Sequence, residues 1–118
     1  MKHLLSFAIL MLLLVSSCSR KSKLPPDVFP VDKMKAIVWD MEVADQKASE
    51  KFLTQKDSLR MEATSLYQQV LVKYKTDRAT FYKSFSYYET HPDLLKVLFD
   101  SVSNYGNRQK TAVFKKAD

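Results

Sequence analysis

The sequence predicts an all-α protein, a small bundle of about four amphipathic helices behind a signal peptide and a proline-containing tether. Three observations predict it. Beyond Pro30 the apolar residues recur at helical spacing and nowhere alternate as a strand would. Three of the four prolines, Pro25, Pro26 and Pro30, precede the periodic part, and the fourth, Pro92, interrupts it. At 118 residues, with 46% hydrophobic and 27% charged residues, the chain suffices for one ordinary globular domain.

Met1-Lys2-His3 is a short basic start, and an apolar run follows from Leu4 to Val15. Twelve residues make about 18 Å of helix, short of a ~30 Å hydrocarbon core, so the run reads as a signal peptide and not a permanent span. Val15-Ser16-Ser17-Cys18 looks like a bacterial lipobox: an aliphatic residue, two small ones, then the cysteine to be acylated. Residues 1–17 are therefore read as a lipoprotein signal peptide and 18–30 as a lipidated tether. Cys18 is the expected lipid attachment site for palmitate-type chains, and several chains at ~0.8 kcal/mol per buried methylene hold firmly. The prolines favour an extended spacer over helix.

Helix one is expected from Val31 or Asp32 to about Phe52, with Met34, Ile37, Val38, Met41, Ala44, Ala48 and Phe52 on one stripe. Helix two is expected from about Ser58 to Tyr74, capped by Asp57, with Leu59, Ala63, Leu66, Tyr67, Val70, Leu71 and Tyr74 facing inward. No Gly or Pro lies between Val31 and Lys75, so one long bent helix is the alternative to two. Thr76 then offers a hydroxyl cap and Asp77 an acid in the first turn of helix three, which ends at Glu89 before His91-Pro92. Pro92 suits the first position of helix four, with Leu94, Leu95, Leu98, Val102 and Tyr105 on its face and Gly106 as its stop. The domain is thus read as 31–107, and 108–118 as a basic, disordered tail.

Composition removes several functions. A single glycine excludes dinucleotide, Walker and nucleophile-elbow loops, and two His with one Cys exclude His/Cys zinc clusters and disulfides. No cofactor and no metal is expected. The formal charge of +6 sits at the ends: between Leu24 and Asn107 there are 11 Lys/Arg and 12 Asp/Glu, a net of −1. Nucleic acid is accordingly not an expected partner, whereas basic ends suit anionic headgroups.

Asp40-Met41-Glu42-Val43-Ala44-Asp45, Asp57-Ser58-Leu59-Arg60, Tyr67 through Val70-Leu71 to Lys73-Tyr74, and above all Phe81-x-x-Ser84-x-x-Tyr87-Tyr88-x-x-His91-Pro92 carry a resemblance. The chain resembles the domain of unknown function 4296, a family of small lipoproteins of Bacteroidetes-type bacteria, over roughly Pro30 to Tyr105. The resemblance implies an all-helical envelope lipoprotein and supplies no activity, ligand or catalytic residue. Lys75 stands where the family often has Gly, and Val31 where a Ser cap is common, so both helix ends are expected to be less sharp. By analogy with lipoprotein sorting, Ser19 and the basic residues after it place the anchor in the outer membrane, facing the periplasm.

Candidate sites are few. His91 is the only conventional base left after signal cleavage, yet its place before a proline suits a turn or cap. Asp40, Glu42 and Asp45 scatter around helix one, so no carboxylate pair converges and no catalytic residue is assigned. Asp45 lies in the apolar stripe and is expected to make a structural polar contact with Arg60, Lys73 or a tyrosine hydroxyl. Trp39 and Val43 sit one turn apart on the outer face and are candidates for a partner surface, unless the Val28-Phe29 segment covers them. Phe81, Phe85 and Tyr88 have core spacing, which leaves Tyr82, Tyr87 and His91 as ligand candidates. The expected function is a non-enzymatic, membrane-tethered module that binds another envelope protein. The alternative is recognition of a glycan or peptide through Tyr82, Tyr87 and His91.

Overall fold

The computed structural model describes residues 23–51 and 56–116, the side chains of 56–59 excepted. Cys18, Phe52 and the signal peptide lie outside the described residues. Within these, the chain forms four α-helices and no strand: α1 (Val31–Lys51), α2 (Lys56–Lys73), α3 (Arg78–Glu89) and α4 (Pro92–Lys116).

Helix α1 begins on the carbonyl of Pro30, which accepts from the N–H groups of Lys33 and Met34, both at 3.0 Å. Asp32 lies in the first turn, where the positive end of the helix favours an acid, and bonding to Lys35 holds its carboxyl below the usual range. Helices α1 and α2 are separate and antiparallel. Asp40 meets Lys73, Asp45 meets Tyr67, and Lys51 meets Glu62, so the α2 number falls as the α1 number rises. That register replaces the single bent helix. Asp57 is the second residue of α2 and not its cap.

Helix α2 ends sharply despite Lys75. The N–H of Thr76 donates to Leu71 O and that of Lys75 to Val72 O, each at 3.0 Å, with Lys75 left-handed at φ 52°. These two bonds close a Schellman motif, whose left-handed residue is most often glycine. Because Thr76 completes that motif, the cap of α3 passes to Asp77. Its carboxylate accepts from Thr80 N–H at 2.8 Å, and that bond lowers its pKa. The connection to α4 is equally short, with Leu95 N–H donating to His91 O at 2.9 Å.

Gly106 does not stop α4, and residues 108–116 are its last turns, not a disordered tail. Gly106 keeps φ in the ordinary range and is buried against the ring of Trp39. It is therefore used for a close approach and not for a left-handed cap. The lysines that follow tolerate helix well and suit its negative end.

The core joins all four helices: Met34, Ile37 and Val38 of α1, Leu71 of α2, Phe81 and Tyr88 of α3, and Leu98 and Val102 of α4. Val28, from the segment that precedes α1, completes it. Trp39 lies against Gly106, and Val43, one turn on, lines a depression with Val113 and Phe114. Helices α1 and α4 therefore run parallel.

Candidate functional site

Beyond the Trp39–Gly106 contact, α1 and α4 leave an apolar trough of about 310 Å³ between them. Trp39 and Val43 form one wall, and Gln109, Lys110, Val113 and Phe114 form the other. Val113 and Phe114 are 68% and 74% exposed, an unusual state for two adjacent large apolar side chains. Lys110 Nζ stands 5.6 Å from the Trp39 ring centroid, within cation–π range. Trp39 is half-buried, and its cover comes from α4. Val28 belongs to the core, and Phe29 and Trp39 both pack against it.

Val43 also lines a second groove of about 360 Å³, between α1 and α2, with Ala44, Lys47, Leu66, Val70 and Lys73 among its walls. Asp40 at its edge is satisfied, since its Oδ2 accepts from Lys73 Nζ at 2.6 Å and from Tyr74 Oη at 2.9 Å. Burial, and then the hydrogen bond to Asp40, raises the Tyr74 pKa. Asp45 is exposed, and its carboxylate accepts from the Tyr67 hydroxyl. Burial followed by that bond pushes the Tyr67 phenol up to about 12.

The structure does not bring Tyr82, Tyr87 and His91 together. Five residues at about 100° each turn Tyr82 roughly 140° from Tyr87 around α3. Tyr82, 47% exposed, lines a small cavity of about 120 Å³ with Met41, Thr64, Tyr67, Gln68, Leu71 and Arg78, whose guanidinium lies 5.4 Å from its ring centroid. Tyr87 packs against the core and stacks on His91, centroids 4.0 Å apart. His91 Nδ1 lies 2.7 Å from Tyr87 O. A carbonyl only accepts, so Nδ1 carries the proton. His91 thus uses its ring to close α3 and its carbonyl to open α4.

The Phe81-to-Pro92 motif also holds the segment that leads into the bundle. Phe29 N–H donates to Ser84 Oγ at 2.9 Å, and Tyr88 Oη donates to Phe29 O at 2.8 Å. Ser84 and Tyr88, one turn apart and both fully buried, grip the two backbone groups of one residue. Lys83 pairs with Asp27 beside them and lowers its pKa.

Sequence reasoning placed Trp39 and Val43 on an outer face but missed Lys110, Val113 and Phe114, which it assigned to the tail. The spacing Val102, Gly106, Gln109, Val113 carries the helical period past the glycine and was the available signal. Among the described residues no cluster of three or more His, Cys, Asp or Glu could hold a metal ion, and no helix is long and apolar enough to cross a membrane.

No curated protein and no solved structure matches the chain. The model of the family named Domain of unknown function (DUF4296) matches residues 25–115, a span from the gripped segment to the last turns of α4. The chain belongs to the DUF4296 family.

Proposed function

We propose that this protein is a cell-envelope lipoprotein, anchored through Cys18 in the outer membrane and facing the periplasm, whose helical domain binds another envelope protein without catalysing a reaction. One observation carries the binding reading: Val113 and Phe114 stand exposed across a trough from Trp39 and Val43. A folded domain that leaves such a pair uncovered leaves a surface a partner can bury. The lipobox-like Val15-Ser16-Ser17-Cys18 and the proline-containing tether supply the anchoring half of the reading. Recognition of a glycan or peptide by Tyr82, Tyr87 and His91 acting together has less support, since Tyr82 leaves α3 about 140° from Tyr87 while Tyr87 and His91 stack on each other.

Two experiments test the two halves. Palmitate labelling in cells is expected to mark the wild-type chain and to miss Cys18→Ser, and an unlabelled wild type ends the anchor. A photoreactive phenylalanine analogue at residue 114, in the intact envelope, is expected to give a discrete protein adduct that the same probe at exposed Ser86 does not. No adduct, or the same adducts from both positions, ends the partner reading.

A further inference from the structure

We propose that the trough receives an amphipathic helix that presents an apolar stripe flanked by acidic residues. The inference rests on the partner-binding reading and names the chemistry of the partner. Its first support is shape. Two parallel helices that separate beyond a close contact leave an elongated depression, and an apolar helix face seats in such a groove through side chains at i, i+3, i+4 and i+7. Val43 is shared by the trough and by the α1–α2 groove, so one surface continues from Phe114 across α1 to Val70.

The second support is charge. Lys47 and Lys110 stand on either side of Val43, and neither forms an ion pair with a described residue. Asp40, the one acid that lines the α1–α2 groove with Lys47, is already engaged by Lys73 and Tyr74, and Glu50 further along α1 accepts from Gln46. From Asn107 to Lys116 there are four cations and no carboxylate. The complement of an apolar floor with unpaired cations on both sides is an apolar stripe with carboxylates on both sides.

An anionic bilayer is the competing occupant, and the geometry of α4 disfavours it. At about 100° per residue, Arg108 lies roughly 170° and Lys115 roughly 150° from the centre of the Val113–Phe114 face. A surface that took up Phe114 would hold those two cations away from the headgroups.

Trp39 is the only tryptophan of the chain and lines the trough, so its emission reports occupancy. The test uses the full chain in maltoside micelles and two tryptophan-free synthetic helices of about five turns, identical but for Glu or Lys at the flanking positions. The Glu peptide is expected to blue-shift Trp39 saturably and to weaken at high salt, and Lys47→Glu with Lys110→Glu is expected to weaken it by about tenfold or more. Equal responses to both peptides, no response to the Glu peptide, or full affinity in the double variant overturns the inference. So does a Trp39 shift produced only by phosphatidylglycerol vesicles, or one that tracks self-association in sedimentation. If the adduct at residue 114 persists while the Glu peptide fails, the partner reading stands and this inference falls. If no adduct forms at residue 114, the partner reading falls and this inference falls with it, whatever the peptide does.

Discussion

The six-membered ring of Trp39 occupies the space where a side chain at residue 106 would begin. A Cβ built on Gly106 would lie 2.2 Å from Cζ3 of Trp39 and 2.6 Å from Cε3. Alanine normally stabilises a helix interior by up to about 1 kcal/mol over glycine. Here the sign reverses, because overpacking costs roughly 1–3 kcal/mol and the rigid indole must move. Gly106→Ala is expected to lower the melting temperature and red-shift Trp39 emission as the ring is pushed outward. Trp39→Leu in the same chain should remove most of the penalty in a double-mutant cycle. Additive effects would show that the two residues do not share this space.

Lys75 invites the opposite substitution. At φ 52° a residue with a Cβ is held in a region that costs about 1–2 kcal/mol relative to glycine. Both backbone bonds that close α2 depend on that conformation. Lys75→Gly is expected to raise the denaturation midpoint by about 1 kcal/mol of stability, less whatever entropy glycine adds to the unfolded chain. Lys75→Ala should change it little, because alanine meets the same steric penalty.

These two positions show what the sequence made legible. Apolar periodicity located α1, α3 and most of α4, since burial imposes the pattern directly: Met34, Ile37, Val38, Ala44 and Ala48 are buried as their spacing requires. Glycine and its usual place were harder to read. Gly106 resembles a helix stop in one dimension, and only the packing of Trp39 across α1 and α4 shows it to be a point of close approach. The trough was missed for the same reason, because ending α4 at residue 106 left Val113 and Phe114 without a helix. Thr76 looks like the cap of α3, but its N–H is bound to Leu71 O in the motif that closes α2, and the cap moves to Asp77. Pairings such as Asp40 with Lys73 depend on the antiparallel register of α1 and α2, which no local pattern encodes.

The tyrosines between α1 and α2 set an alkaline limit. Burial and the hydrogen bond to Asp45 raise Tyr67 from 10.0 to about 12, and Tyr74 is raised by burial and Asp40. A phenol whose pKa is higher in the folded state keeps its proton there while the unfolded chain loses it. Its stabilising effect is therefore complete below pH 10 and declines as pH rises toward about 12. Chemical denaturation across that window is expected to show a falling midpoint, with a shallower fall in Tyr67→Phe and Tyr74→Phe. An equally steep fall in the double variant would assign the alkaline limit to other groups.

The grip on Phe29 yields the last prediction, which separates a positional role for the Phe81-to-Pro92 motif from simple core packing. Tyr88→Phe keeps the buried ring and removes only the hydroxyl that donates to Phe29 O, at a cost of about 0.5–1.5 kcal/mol. Ser84→Ala strands the partly buried Phe29 N–H, and an unsatisfied buried donor costs about 1–3 kcal/mol. If the motif served packing alone, each change would lower the global melting temperature with no local signature. If it fastens the segment that enters α1, hydrogen exchange at the amides of 28 and 29 should rise further than at core amides of α3 and α4. Protease cleavage between Lys23 and Lys33 should accelerate in parallel. A Ser84→Ala variant whose segment exchanges no faster than its core would show that Val28, buried among the helices, holds the segment without the two polar contacts.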